Sequence, residues 1–270
     1  MPPLTPSASS FPSAASRDAV VEALRAAGCV FAEDEAELIL ATARTPGERA
    51  TMVARRVQGL PLELVLGWAE FHGLRVTVAP GVFVPRRRTE FLVDQALAHA
   101  PHASVVVDLC CGSGAVGAAL AASLGPVHLH AADIDPAAVR CARANIAARG
   151  GHAHEGDLFD ALPGRLRGRV DILAANVPYV PTGEVPLLPV EARDHEPLTA
   201  LDGGGDGLDV LRRVAAEARS WLAPGGVLLV ETSERQAPDA LEAFTRGGLT
   251  AELAADDELY AHVVIGTRVR

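Results

Sequence analysis

Val105-Val-Val-Asp-Leu-Cys-Cys-Gly-Ser-Gly-Ala-Val-Gly117 carries the decision about the fold. The opening apolar run has the length and β-branched character of a short buried strand, and the residues after Gly114 have helical character. Between them, Gly112 and Gly114 let backbone N–H groups come close to a ligand at a helix N-terminus. Gly112-x-Gly114-x-x-Gly117 alone is a weak signal that also matches a dinucleotide site. Its neighbours separate the two readings. Asp108, on the strand just before the glycines, would face a pyrophosphate unfavourably and suits a cationic or amine-bearing ligand. Asp133 ends the next strand, where a carboxylate can take both hydroxyls of a ribose. Asp157 follows the third strand, placed to accept from an exocyclic amine such as that of adenine. The set fits S-adenosylmethionine better than NAD.

Outward from this unit, strand-like and helical runs alternate: strands over 105–109, 127–132, 170–174 and 227–231, with helices from Gly114, from Pro136 to Arg149 and from Leu208 to Leu222. Such alternation predicts an α/β domain built on a mostly parallel sheet with helices on both faces. Residues 249–253 and 262–267 read as an antiparallel pair that closes the sheet. Upstream, three short helices are predicted between Arg17 and Gly59, with Ser16 capping the first, Gly28 just past its end and Pro46 early in the third. Residues 60–66 read as a connector, Phe71 to Val84 as a hairpin turning at Pro80-Gly81, and Thr89 to His99 as a helix. Residues 1–16, rich in Pro, Ser and Ala, read as a disordered tail without a secretory signal.

Of 270 residues 49% are hydrophobic and 21% charged, which excludes fibrous and disordered classes. No apolar run reaches the ~20 residues of a spanning helix. There is no lysine, which removes P-loop, pyridoxal Schiff-base and lysine aldol chemistry. A net charge of −10 argues against a nucleic-acid coat. The four cysteines (Cys29, Cys110, Cys111, Cys141) form no CxxC or Cys/His set, so a reduced, cytoplasmic chain without a structural metal is expected. His128, His130, His152 and His154 lack the acids or cysteines that would complete a metal site.

Asn176-Val-Pro-Tyr179 follows the fourth strand, at the sheet edge where open α/β folds bind ligands. The Asn oxygen and a backbone carbonyl at Val177 or Pro178 can accept from a planar NH2 group, and the Tyr179 ring can pack on its face.

Here the chain resembles the HemK family of protein N5-glutamine methyltransferases from about residue 17 to its C-terminus. The likeness rests on Gly59-Leu-Pro-Leu-Glu-Leu-Val-Leu-Gly67, Glu70-Phe-His-Gly73, Pro85-Arg86 with Thr89-Glu90, the glycine loop, the tetrapeptide, and Glu196-Pro197, Ala200-Leu201 and Gly203 to Leu208. It implies a seven-stranded class I S-adenosylmethionine-dependent methyltransferase domain over 89–270. It also implies a hairpin linker over 67–88 and a helical substrate-recognition domain over 17–66. Asp108, Cys110, Gly112, Gly114, Asp133, Asp157 and Asn176 fall on its cofactor positions. Asn176, Val177, Pro178 and Tyr179, with Arg86, Thr89 and Glu90, fall on its substrate positions, the tetrapeptide being catalytic. The implied partner is a peptide-chain release factor. Three positions differ: Val177 replaces the first proline of Asn-Pro-Pro-Tyr, Cys110 the first loop glycine, and Arg87-Arg88 a Pro-Glu pair.

Three competing functions share these features. An N6-adenine methyltransferase would use the same tetrapeptide type, against the acidic net charge. An NAD-dependent oxidoreductase fits the glycine pattern but lacks an obvious hydride-site His or Tyr–Lys pair. A binding protein without turnover would keep the cofactor loop while Val177 alters the tetrapeptide.

Overall fold

The computed structural model describes residues 16–269, which form two compact units that divide between Gly67 and Trp68. Of the tail predicted over 1–16, all but Ser16 lies outside the described residues.

The first unit is helical: α1 (Arg17–Ala26), α2 (Ala32–Thr42), α3 (Pro46–Val57) and α4 (Leu62–Leu66). Ser16 caps α1 by accepting from Ala19 N, Thr45 caps α3, and Pro46 opens α3 where no N–H is missed. Val20, Leu24, Ala32, Ala36, Ile39 and Val53 are fully buried. Beneath them Arg56 pairs with Glu35 at 2.6 Å, both largely covered. The connector expected over 60–66 is in fact helical across α4. Pro61 stands just before its first turn, where the missing N–H costs nothing, and Gly67 ends it at φ +80°.

The second unit begins with a hairpin of β1 (Trp68–Phe71) and β2 (Leu74–Thr77). It turns at His72-Gly73, not at the expected Pro80-Gly81. Both central residues have positive φ (+49° and +71°), the geometry that matches the twist of paired strands. Pro80 has no N–H to give a ladder, and residues 82–84 pair with no strand.

Seven strands follow: β3 (Val105–Leu109), β4 (His128–Asp133), β5 (His152–Glu155), β6 (Val170–Ala175), β7 (Leu222–Thr232), β8 (Thr250–Asp256) and β9 (Ala261–Thr267). They lie in the order β5-β4-β3-β6-β7-β9-β8, parallel except for β9, which runs antiparallel to both β7 and β8. This is the class I methyltransferase fold that the sequence implies. Side chains alternate between two cores. Val106, Ile172, Leu229 and Ile265 face α5 (Glu90–His99), α6 (Ala115–Leu124) and α7 (Pro136–Ile146). Val107, Leu173, Leu228 and Val264 face the other side. Two short helices, α8 (Val190–His195) and α9 (Leu198–Leu201), precede the helices of that second face, α10 (Asp209–Trp221) and α11 (Ala237–Arg246). The sequence reading had no helix at α11, although Ala237, Ala240 and Phe244 recur at helical spacing on its buried face and Pro238 sits in the first turn, where a missing N–H costs nothing. Strand order reverses between β3 and β6, which opens a crevice at their carboxyl ends.

Candidate active site

The turn from β3 into α6 passes through left-handed backbone three times, at Cys110 (φ +53°), Gly112 (+53°) and Gly114 (+75°). At Gly114 a side chain would meet Ala142 at 3.0 Å, so glycine is required there by space as well as by φ. Cys110, where the resembling family has glycine, keeps the same conformation at a steric cost. Burial, with Asp133, Asp108 and Asp157 nearby, pushes its thiol up, and burial does the same at Cys111, so neither is poised as a thiolate nucleophile.

The three acids take different places. Asp108 is 2% exposed and turns back under the loop, where its Oδ2 accepts from Gly117 N at 2.8 Å. Burial raises its carboxyl to about 8, against the pull of that N–H and with the charge of Asp133 adding to the rise. Asp133, half-buried at the end of β4, accepts from Gly112 N and Asp135 N, each at 2.9 Å. Its oxygens retain lone pairs for further donors. Asp157 stands past β5 and pairs with Arg213 of α10 at 2.6 Å. Asn145 of α7 ties the hairpin to the loop, since its amide spans Thr77 N and O at 2.9 Å and Ser113 O at 2.8 Å.

Asn176 to Tyr179 leaves the end of β6 beside this loop. Val177 and Pro178 are buried, Asn176 and Tyr179 half-buried. The Asn176 Nδ2 lies 3.4 Å from Thr89 Oγ1. The Tyr179 hydroxyl donates to Glu231 Oε1 at 3.1 Å and accepts from Arg88, whose guanidinium lies 5.9 Å from the ring centre. Burial and Glu231 push the Tyr179 hydroxyl up, so it stays protonated. Arg88 also donates to Glu231 at 3.0 Å, and Thr89 donates to its other oxygen at 2.6 Å. Arg86 lies farther along the same segment, paired with Glu196 at 2.5 Å and set over Phe83, while Glu90 opens α5 half-buried. Arg88 thus uses its place in the former Pro-Glu pair to neutralise a buried carboxylate.

From behind, the segment 201–207 grips the tetrapeptide. Val180 N donates to Leu201 O and Gly203 N to Val180 O, each at 2.9 Å, and Gln236 Nε2 donates to Tyr179 O at 2.9 Å. A Cβ on Gly203 would lie 2.6 Å from Pro178 O, and one on Gly207 (φ +83°) would overlap Tyr179 O. These contacts hold the turn although Val177 lacks a proline ring. Gly207→Ala is accordingly expected to cost about 3 kcal/mol in urea denaturation, from left-handed strain plus overlap, whereas Gly205→Ala, facing open space, should stay within about 0.5 kcal/mol.

Glu231, Gln236 and Asn145 were not singled out for the site from the sequence, and Arg88 was marked there only as a departure from the resembling family's Pro-Glu pair. Each joins it through tertiary packing; only the position of Glu231 at a strand's carboxyl end was a usable signal. Among the described residues no His, Cys, Asp and Glu side chains assemble into a metal-binding group, and no helix is long and apolar enough to cross a membrane. His130 and His154 instead bond to each other at 2.9 Å, with burial holding His130 down to about 4.

Residues 73–187 match the family model described as methyltransferase small domain. Over 220 residues, 81% of this chain and 76% of the relative, the sequence is 39% identical to a release factor glutamine methyltransferase of Geobacter sulfurreducens. The chain belongs to the release factor glutamine methyltransferase family. Like that family it is an S-adenosylmethionine-dependent methyltransferase. It is also 38% identical over 191 residues, 68% of this chain and 65% of the relative, to a 4-amino-L-phenylalanine/4-methylamino-L-phenylalanine methyltransferase of Streptomyces pristinaespiralis. Among solved structures, a methyltransferase from Pyrococcus furiosus superposes with a TM-score of 0.55 at 16% identity, covering 73% of this chain and 90% of that one, a likeness of fold.

Proposed function

We propose that this enzyme methylates the N5 amide nitrogen of a glutamine side chain in a peptide-chain release factor. The observation that carries the reading is the Asn176-to-Tyr179 turn, braced by Glu231 and the 201–207 segment beside an acid-lined loop. The 39% identity to the Geobacter enzyme over most of both chains supports the acceptor.

The donor set suits S-adenosylmethionine. Asp133 has lone pairs for ribose hydroxyls, Asp157 can accept from the adenine amine, and Gly112 and Gly114 set no side chain against a ligand at their own positions. Asp108 lies beneath the loop, where loss of its raised proton would set a negative charge under a cationic donor. When bound, S-adenosylmethionine supplies a methyl group on a positively charged sulfur.

An amide nitrogen is a poor nucleophile because its lone pair is shared with the carbonyl. Asn176 Oδ1 and the carbonyl of Val177 accept the two N–H bonds, which orients the nitrogen and stabilises positive charge as it builds there. The Pro178 carbonyl is turned against Gly203 and is not used. Tyr179 covers the acceptor and excludes water. No base is needed before methylation, because an N-alkylated amide cation is strongly acidic and loses its proton to solvent afterwards. The helical unit over 17–66 serves acceptor recognition.

A second reading, methylation of an aryl amine, is favoured by the 38% identity to the Streptomyces enzyme. One assay separates the two. Labelled S-adenosylmethionine is supplied with release factor, 4-amino-L-phenylalanine or an adenine-containing oligonucleotide, and the product is identified by mass spectrometry. N5-methylglutamine in the release factor is the expected result; label only in the small amine or the oligonucleotide overturns it.

A further inference from the structure

We infer that Glu231, acting through Thr89, is a positioning residue that fixes which way round the Asn176 carboxamide stands. The inference rests on the reading of Asn176 as the acceptor for the substrate NH2. Glu231, the last residue but one of β7, is 2% exposed and holds Arg88 and Tyr179 on Oε1 and the Thr89 hydroxyl on Oε2. A carboxylate in an ion pair with a guanidinium only accepts, so the one proton of the Thr89 hydroxyl is committed to it. The Thr89 oxygen then has lone pairs alone to offer its other neighbour. That neighbour, 3.4 Å away, is the Asn176 amide, which must turn its NH2 toward Thr89. Reversed, the amide would set two acceptor oxygens against each other. Its carbonyl is therefore left facing away from Thr89, in the sense that a substrate amine requires. Glu231 and Thr89 stand 142 residues apart in sequence, and β7 and the start of α5 bring them together.

The test uses the full chain with a purified release factor as acceptor. In Glu231→Gln the new carbonyl stays on Arg88 and the NH2 turns to Thr89, which reverses the hydroxyl and then Asn176. The turnover number is expected to fall roughly 30-fold, with the Kd for S-adenosylhomocysteine kept within about threefold. Thr89→Val should reproduce that loss without touching the buried carboxylate, and Thr89→Ser should recover most of it. The double variant Glu231→Gln, Thr89→Val should be no worse than either single one, as links in one chain. Losses that add, or that track thermal stability and cofactor affinity together, overturn the relay, as does Thr89→Val at the parental rate where Asn176→Ala is dead. An Asn176→Ala variant that still turns over overturns the underlying reading instead.

Discussion

Asn176→Ala is expected to lower turnover on the release factor by about 1000-fold while leaving the Kd for S-adenosylhomocysteine within about threefold. The split follows from geometry. Asn176 follows the end of β6 and its side chain lies against Thr89, whereas the other residues expected to hold the donor stand on β3, in the loop after it, on β4 and past β5. Removing the carboxamide takes away the acceptor that orients the nitrogen and meets its developing charge, and leaves the glycine loop and Asp133 untouched. Asn176→Asp should fare little better, since its second oxygen would face the Thr89 oxygen without a proton to share. Isothermal calorimetry with S-adenosylhomocysteine and single-turnover methylation measure the two quantities separately; an equal loss of both would show that Asn176 serves the cofactor and not the acceptor.

The parts of this site that were legible in the sequence are those whose chemistry is written within a few consecutive residues. Val105 to Gly117 is a strand, a turn and a helix in thirteen positions, and the structure has each where period and glycine placement put it. The tetrapeptide was legible for the same reason. Long-range partners leave no such trace: nothing near Glu231 distinguishes it from any other acid ending a strand until the β6-β7 pairing brings it beside Tyr179. The hairpin was misplaced by one turn because Pro80-Gly81 is the stronger local signal, while His72 must enter left-handed backbone without being a glycine. Asp108 shows a third kind of gap. Its residue type and strand position pointed to a ligand-facing carboxylate, yet only the packing of α6 over β3 reveals that one oxygen is spent on Gly117.

Burial of Asp108 predicts a large and sign-definite effect on stability. Its carboxyl is raised from an ordinary 3.8 to about 8, so between those values the folded chain holds a proton there that the unfolded chain has released. Folding takes up that proton, and this contribution to stability falls as pH rises through the window, by up to about 1.4 kcal/mol per pH unit, and levels off above it. Asp108→Asn keeps the shape and an oxygen for the Gly117 N–H but has no proton to lose. The stability difference between variant and parent should be near nil at pH 4 and favour the variant by roughly 4 kcal/mol at pH 7, the upper bound set by the raised carboxyl. Urea denaturation across that range measures it, and a difference that does not change with pH would show that the carboxylate is solvated in the folded state. A cationic donor favours the ionised form of Asp108 that burial disfavours in the empty loop, so the stabilised variant should bind S-adenosylmethionine more weakly. In the parent, binding below pH 8 should release a proton from Asp108, which calorimetry in buffers of different ionisation enthalpy detects and which Asp108→Asn should abolish.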